Sequence, residues 1–182
     1  MNAPLAPPRW RRIDNFELRI VRRFAALARL RGVRVSAGAV NVLANGWIYA
    51  PIAIAVYALA GGDAWSVIGA AALAALVAHL IHGLLKRSLR RPRPFERDPS
   101  LVSRTRVLDR YSFPSGHCMT LVCVAVPIVY GAHWLWPFAA LYVALLAVCR
   151  LIAAHHYPTD VFAGSLIGLS VGWAASVVVF VN

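Results

Sequence analysis

The sequence predicts an all-α fold, a polytopic bundle of transmembrane helices. Of its 182 residues, 60% are apolar and 14% are charged, whereas soluble domains carry about 45–50% and about 25%. No lysine or arginine occurs from Val35 to Leu85, and no charged residue occurs from Tyr111 to Cys149. Each stretch has room for two spans of roughly 20 residues. A soluble enzyme, a coiled coil and a disordered chain are therefore excluded.

Apolar segments predict about five membrane spans. They are residues 39–60, 64–85, 116–131, 134–153 and 159–181, of which the third is short. Helices are expected rather than a barrel, because lipid leaves no backbone group unpaired and the alternation of barrel strands is missing. Tight turns join the spans at one membrane face. The other face receives the N-terminus and the polar loops at 86–114 and 155–158.

The chain divides into three predicted parts. Residues 1–13 are rich in proline and arginine and are expected to be a mobile basic tail. Residues 14–34 predict an amphipathic helix that lies in the membrane interface, and residues 39–181 form the transmembrane domain. The apolar side of the interfacial helix is Phe16, Ile20, Phe24, Leu27 and Leu30. The chain has no recognition module for nucleic acid. Its arginines therefore favour contact with anionic membrane lipids, and we expect no nucleic-acid partner.

The cysteines and carboxylates of the sequence indicate whether the chain can bind a metal. The three cysteines Cys118, Cys123 and Cys149 form no CxxC pair and lie in or at the end of apolar runs. They predict packed thiols rather than disulfides or a zinc site. The sequence also has no carboxylate cluster suited to a metal. We expect neither a metal nor another cofactor.

Three polar segments lie at span ends on one face. The first, from Lys86 to Pro94, is dense in cations, which in isolation could anchor a helix among head groups. The second is Pro114-Ser115-Gly116-His117. Ser115 is suited to cap the next helix, Gly116 lets an anion approach its free N–H groups, and His117 can donate a proton. By itself this segment could equally be an ordinary helix start.

The third segment contains Arg150, His156 and Asp160. A carboxylate that binds one ring nitrogen of a histidine fixes its tautomer and leaves the other nitrogen free to attack. In isolation, an interfacial histidine and an aspartate at a helix start would explain the same residues.

Taken together, Lys86-x6-Arg93-Pro94, Pro114-Ser115-Gly116-His117 and Arg150-x5-His156-x3-Asp160 resemble the three-part motif of the type 2 phosphatidic acid phosphatase superfamily. The motif match runs from Lys86 to Asp160, and the order of spans extends the likeness over residues 39–181. One position departs, because the residue before the motif arginine is Cys149 where the family usually has serine. A thiol donates a weaker hydrogen bond.

The resemblance implies a role for each motif residue. His156 would be the nucleophile that forms a phosphohistidine, and Asp160 would orient it. His117 would protonate the leaving oxygen and then activate water. The nonbridging oxygens would be bound by Lys86, Arg93, Ser115, Gly116 and Arg150.

Two further groups of residues have alternative interpretations. His79, His82 and Lys86 share one face of the second span, either as a polar wall toward the phosphate site or as hydrogen-bonding partners between helices. A stripe of small residues lies on the last span. Its members are Gly164, Gly168 and Gly172. This stripe is expected to form contacts within the bundle or, as the alternative, a homodimer face.

The resemblance implies a metal-independent hydrolase that acts on a membrane lipid phosphate. Phosphatidic acid, phosphatidylglycerophosphate and a polyprenyl phosphate or diphosphate, such as undecaprenyl diphosphate, all remain open as substrates. A lipid-to-lipid phosphotransferase and a non-catalytic anion- or lipid-binding bundle are the alternative functions. We expect a multi-pass protein of the plasma membrane. The nine arginines before Val35 predict a cytoplasmic active site by the positive-inside rule, with the periplasmic or extracellular face as the alternative.

Overall fold

The computed structural model describes residues 8–59, 61–103, 107 and 109–181, and within these residues all regular secondary structure is helical. The helices are α1 (Pro8–Ala26), α2 (Arg31–Val42), α3 (Tyr49–Leu59), α4 (Ala64–Leu89), α5 (Pro94–Arg97), α6 (Gly116–Gly131), α7 (Trp136–Ile152) and α8 (Pro158–Phe180). The predicted all-α class is confirmed. The three cysteines are free and buried, as predicted.

Among the described residues, three helical segments are long and apolar enough to cross a membrane. They are Gly61–Arg97, His133–Ile152 and Pro158–Phe180, which contain α4, α7 and α8. Helix α6 has only 16 residues, in agreement with the predicted short third span. These helices begin and end near the predicted limits because long uncharged runs leave few other places for a helix to end.

The predicted first span, residues 39–60, differs from the structure. Segments Arg31–Trp47 and Tyr49–Ala58 meet at an angle of 66°, and only together, as a bent pair, are they long and apolar enough to cross a membrane. A π-helical turn at Leu43–Trp47 separates α2 from α3, and Gly46 adopts φ 120° within it. That backbone conformation favours glycine. The bend brings the residues just before Gly46 toward the polar end of the bundle.

The N-terminal prediction also needs correction. Residues 1–7 of the predicted tail lie outside the described residues, whereas residues 8–13 belong to α1. Trp10 Nε1 donates a hydrogen bond to the carbonyl oxygen of Leu89 at 3.3 Å. The predicted helix at 14–34 is two helices, since the chain is extended at Leu30.

Helix α1 buries a face against the bundle that the sequence did not predict. Its buried residues are Asp14, Glu17, Leu18 and Val21, with spacing i, i+3, i+4 and i+7. Phe16, Leu27 and Leu30 of the predicted apolar side are exposed on the protein surface, and their place in the membrane interface stays a prediction. Helix α1 therefore packs on α7 and α8 through a face that contains two carboxylates.

Helices α4, α6 and α8 pack against one another and form the centre of the bundle. The glycine stripe of α8 lies directly on the backbone of α6. A Cβ atom at Gly164, Gly168 or Gly172 would lie 2.5, 2.4 or 2.8 Å from the carbonyl oxygens of Ser115, Met119 and Cys123 respectively. The predicted bundle contact is correct. Helix α6 of the same chain covers the stripe that was also considered as a homodimer face.

Candidate active site

All motif residues of the sequence analysis lie at one end of the bundle. The last turns of α4 and α7 contribute Lys86 and Arg150, and the first turns of α6 and α8 contribute His117 and Asp160. The close packing of α6 on α8 links these starts directly, since the Ser115 backbone N–H donates to the Asp160 carbonyl oxygen at 2.9 Å. The glycine stripe thus holds two of the three motif segments together.

His156 is oriented mainly by a backbone group that the sequence did not indicate. Its Nδ1 lies 2.8 Å from the carbonyl oxygen of Ser112 and 3.6 Å from Oδ2 of Asp160. A carbonyl oxygen only accepts hydrogen bonds, so Nδ1 carries the proton and Nε2 is the unprotonated nitrogen. Asp160 is near the ring but is not its hydrogen-bond partner. The attacking nitrogen of the predicted mechanism, Nε2, therefore carries no proton.

The environment of His156 also keeps its ring neutral. The side chain is 1% exposed. Burial, together with the cations of Arg150, Arg93 and Lys86, holds the pKa of His156 well below its ordinary value of 6.5. Both effects disfavour the protonated form. A neutral imidazole is the form that can attack phosphorus.

Arg150 contacts the unprotonated nitrogen of His156. Its Nη2 donates to His156 Nε2 at 3.2 Å, and its Nη1 donates to Asn41 Oδ1 at 2.6 Å. Its Nε is buried and has no hydrogen-bond partner among the described residues. A buried donor without a partner is unfavourable, so Arg150 can bind a further acceptor.

Lys86 and Arg93 meet at one carboxylate. Arg93 Nη2 lies 2.6 Å from Oδ1 of Asp109, and the Lys86 ammonium binds the same oxygen. Burial alone would raise the pKa of Asp109, but the two cations outweigh it and hold the pKa below its ordinary value. Asp109 therefore remains ionised and binds both Lys86 and Arg93, which are two of the predicted phosphate ligands.

Ser115 is the residue before α6, as predicted, but its hydroxyl does not cap the helix. Its Oγ is buried and has no hydrogen-bond partner among the described residues. Gly116 lies under the ring of His82, since a Cβ at this position would be 2.6 Å from His82 Nε2. The hydroxyl and the first amide groups of α6 are thus left to bind an anion.

His117 contacts the segment at the bend. Its Nε2 lies 2.6 Å from Oδ1 of Asn45. An amide oxygen accepts, so Nε2 carries a proton. A cavity of about 660 Å³ opens beside His117 and is also lined by His79, His82 and Asp109. The predicted polar wall of His79 and His82 therefore faces a cavity.

Arg91 is a functional candidate that the sequence analysis did not single out. It is fully buried, and its Nη1 lies 2.5 Å from Oδ1 of Asp160. Its Nη2 lies 2.8 Å from Asp14 and 2.5 Å from Glu17. Its partners in α1 are more than 70 residues away in sequence. The only signal for them in the sequence was the i, i+3, i+4 and i+7 spacing of the α1 residues that are buried.

Comparisons with known proteins agree with this geometry. The family model of the PAP2 superfamily matches residues 63–182. A decaprenylphosphoryl-5-phosphoribose phosphatase from Mycolicibacterium smegmatis is 34% identical over 143 residues, which cover 77% of this chain and 76% of that protein. An undecaprenyl-diphosphatase from Sulfolobus acidocaldarius is 32% identical over 78 residues, 42% of this chain and 37% of that protein.

A solved structure shares the fold. The transmembrane PAP2-type phosphatidylglycerolphosphate phosphatase from Bacillus subtilis superposes with a TM-score of 0.70 at 20% identity, covering 90% of this chain and 84% of that chain. At this level of identity the likeness concerns the fold alone. It includes helices before residue 63, where the family match begins.

Proposed function

The chain belongs to the PAP2 superfamily, as the motif resemblance predicted, and we propose that it hydrolyses the phosphate of a polyprenyl-linked lipid through a phosphohistidine on His156. It is a membrane enzyme of the lipid phosphate phosphatase type. The observation that carries the mechanism is the unprotonated Nε2 of His156, which accepts from Arg150 at 3.2 Å and becomes free to attack when a phosphate oxygen takes over that donor. A nucleophile and a cation for the transferring group meet there.

The proposed reaction has two steps. His156 Nε2 attacks phosphorus, the bond from phosphorus to the lipid oxygen breaks, and protonated His117 gives its proton to that oxygen. Water then attacks the phosphohistidine, His117 removes the water proton, and phosphate leaves from Nε2. Lys86, Arg93 and Arg150 stabilise the charge on the nonbridging oxygens with the Ser115 hydroxyl and the Gly116 amide. Since side-chain cations supply this charge, no metal is required.

The cavity beside His117 supports the proposal that the lipid part of the substrate is a long isoprenoid chain. Its walls are apolar residues of α3, α4 and α6. Ile52, Val56, Val67, Val124 and Ile128 also line a second cavity of about 750 Å³ that reaches Trp134 and Phe138. Together the cavities follow α6, whose 16 residues extend over roughly 24 Å. The relative from M. smegmatis is named for a decaprenyl substrate.

Trapping the intermediate tests the mechanism. Loss of His117 should slow the hydrolysis of phosphohistidine but spare attack on an aryl phosphate, whose leaving oxygen needs little protonation. We therefore expect His117→Ala to accumulate an acid-labile phosphoenzyme from a labelled aryl phosphate. The double variant with His156→Ala should accumulate none. Label on the double variant would disprove the role of His156.

A panel of lipid phosphates tests the substrate and the alternative functions. Purified protein should release free phosphate from polyprenyl phosphates faster than from diacylglycerol phosphates. Ala71→Phe, which fills the cavity, should slow the long-chain substrate and spare an aryl phosphate. Leu76→Phe on the exposed side of α4 is the matched control. Labelled phosphate in a second lipid would instead indicate a phosphotransferase, and no release at all would indicate a binding protein.

We also propose that the active site faces the cytoplasm at the plasma membrane. Helix α1 contacts the active-site end of the bundle from Trp10 to Arg22, so it shares its side with the site. Positive-inside logic places its arginines in the cytoplasm. Ser100→Cys, in a background without Cys118, Cys123 and Cys149, should react with an impermeant maleimide only after permeabilisation. Labelling of intact spheroplasts would place the site outside.

A further inference from the structure

The fully buried guanidinium of Arg91 joins the N-terminal helix to the active site. On one side, Nη1 lies 2.5 Å from Asp160 Oδ1 and 2.7 Å from Thr159 Oγ1. On the other side, Nη2 lies 2.8 Å from Asp14 Oδ1 and 2.5 Å from Glu17 Oε2. One cation thus connects α1 with the first turn of α8.

The charges around Arg91 depend on one another. Three carboxylates surround one guanidinium, and Arg97 binds the second oxygen of Asp14 at 2.8 Å. The rings of Trp10 and Tyr157 lie 4.6 and 3.9 Å from the guanidinium carbon. Removing one partner of a buried ion pair leaves an uncompensated charge and is strongly destabilising. The arrangement therefore admits few alternative positions for the Asp160 carboxylate.

Asp160 is held at both oxygens. Arg91 binds Oδ1, while Oδ2 accepts the Tyr157 backbone N–H at 2.8 Å and lies 3.6 Å from His156 Nδ1. Glu17 also accepts from the Thr159 backbone N–H at 2.7 Å. Helix α1 thus fixes the start of α8 through the backbone as well as through Arg91.

We infer that Arg91 is a positioning residue for Asp160, and that Asp14 and Glu17 of α1 act on Asp160 through Arg91. The inference rests on the proposed roles of His156 and Asp160. Arg91 is fully enclosed by protein and is a separate residue from the three cations that surround the phosphate site. Its effect reaches the substrate only through Asp160. The family match begins at residue 63 and leaves α1 out.

A double-mutant cycle tests this inference. Arg91→Lys keeps the positive charge but loses the planar guanidinium group that binds four partners. We expect it to lower kcat by about 10- to 100-fold, since small misplacements of catalytic groups have effects of this size. KM and the inhibition constant of vanadate should stay within about twofold. In an Asp160→Asn background, Arg91→Lys should change kcat by less than about twofold, because contacting residues are not additive.

A second variant covers the case in which Arg91→Lys does not fold. Glu17→Gln keeps the shape of the side chain and removes one charge from Arg91, and it should lower kcat in the wild type but not in Asp160→Asn. The matched control is Arg22→Gln, which breaks the bond from α1 to Asp98 and should leave kcat unchanged. Independent, multiplicative losses in either cycle would overturn the inference. Full activity of His156→Ala would instead show that the proposed function is wrong.

Discussion

The carboxylate of Asp109 and the guanidinium of Arg93 form an ion pair of 2.6 Å inside the predicted phosphate site. The same oxygen also binds Lys86. A substrate phosphate must therefore compete with a carboxylate of the protein for two of its three cations. This competition leads to the first prediction.

Asp109→Asn should bind phosphate and vanadate more tightly. Loss of the negative charge removes both the competition and the repulsion of an incoming anion. We expect the inhibition constants of both anions to fall by about 10-fold, which corresponds to about 1.4 kcal/mol. Asp98→Asn is the control, because Asp98 pairs with Arg22 outside the site. Weaker or unchanged vanadate inhibition would contradict the competition.

Activity should persist in the presence of a chelator. The charge on the transferring phosphoryl group is met by Lys86, Arg93 and Arg150, so EDTA should leave the initial rate of phosphate release unchanged. Added magnesium should give no more than a small change on a water-soluble substrate. A rate that vanishes with EDTA and returns with one particular divalent ion would refute the metal-independent mechanism.

Gly168→Ala should destabilise the bundle. The new methyl group would lie 2.4 Å from the carbonyl oxygen of Met119, so α8 would have to move away from α6. Overpacking of this kind costs about 1–3 kcal/mol. Thermal unfolding in detergent should show the loss, and phosphatase activity should fall with it. Gly69→Ala on α4 has no atom within 4 Å and should be neutral or slightly stabilising. Equal melting temperatures for the two variants would argue against the packing role.

Stability should fall as the pH drops below about 6.5, partly because of His156. Its folded pKa is well below its ordinary value through burial and the charges of Arg150, Arg93 and Lys86, to which His155 adds. Below pH 6.5 the unfolded chain therefore binds a proton that the folded chain excludes. The stabilisation is complete above this pH and is lost toward the folded pKa.

The measurement is the melting temperature of the wild type and of His156→Asn between pH 7.5 and pH 5. Asparagine does not titrate, so the variant should lose less stability over this interval. Other groups titrate in both proteins and cancel in the comparison. Parallel pH profiles would mean that His156 is not a buried neutral group.

The sequence was sufficient for the parts of the structure that depend on local pattern. Helices α4, α7 and α8 follow uncharged runs whose lengths match a bilayer, and no tertiary information is needed to place them. The motif residues could be recognised because each lies within a few residues of a span end. Their spacing along the chain fixes which helix ends must meet.

The parts that could not be predicted depend on contacts distant in sequence. Asp14 and Arg91 are 77 residues apart, and an acidic residue in an arginine-rich helix suggests a solvated pair rather than a buried one. Ser112 contacts His156 through its backbone carbonyl. Every residue has such a group, so the sequence could not indicate this contact. Averaged hydropathy also conceals the bend at residues 43–47, although Gly46 and Pro51 lie inside the apolar run.

The two asparagines at the bend have a practical consequence for shortening the protein. Asn41 accepts from Arg150 at 2.6 Å, and Asn45 lies 2.6 Å from His117. A truncated chain starting at residue 63 would retain the whole three-part motif. It would nevertheless leave Arg150 without this acceptor and His117 without this support. Minimal versions for engineering or crystallisation should therefore keep the bend, because domain limits taken from the family match alone would remove both contacts.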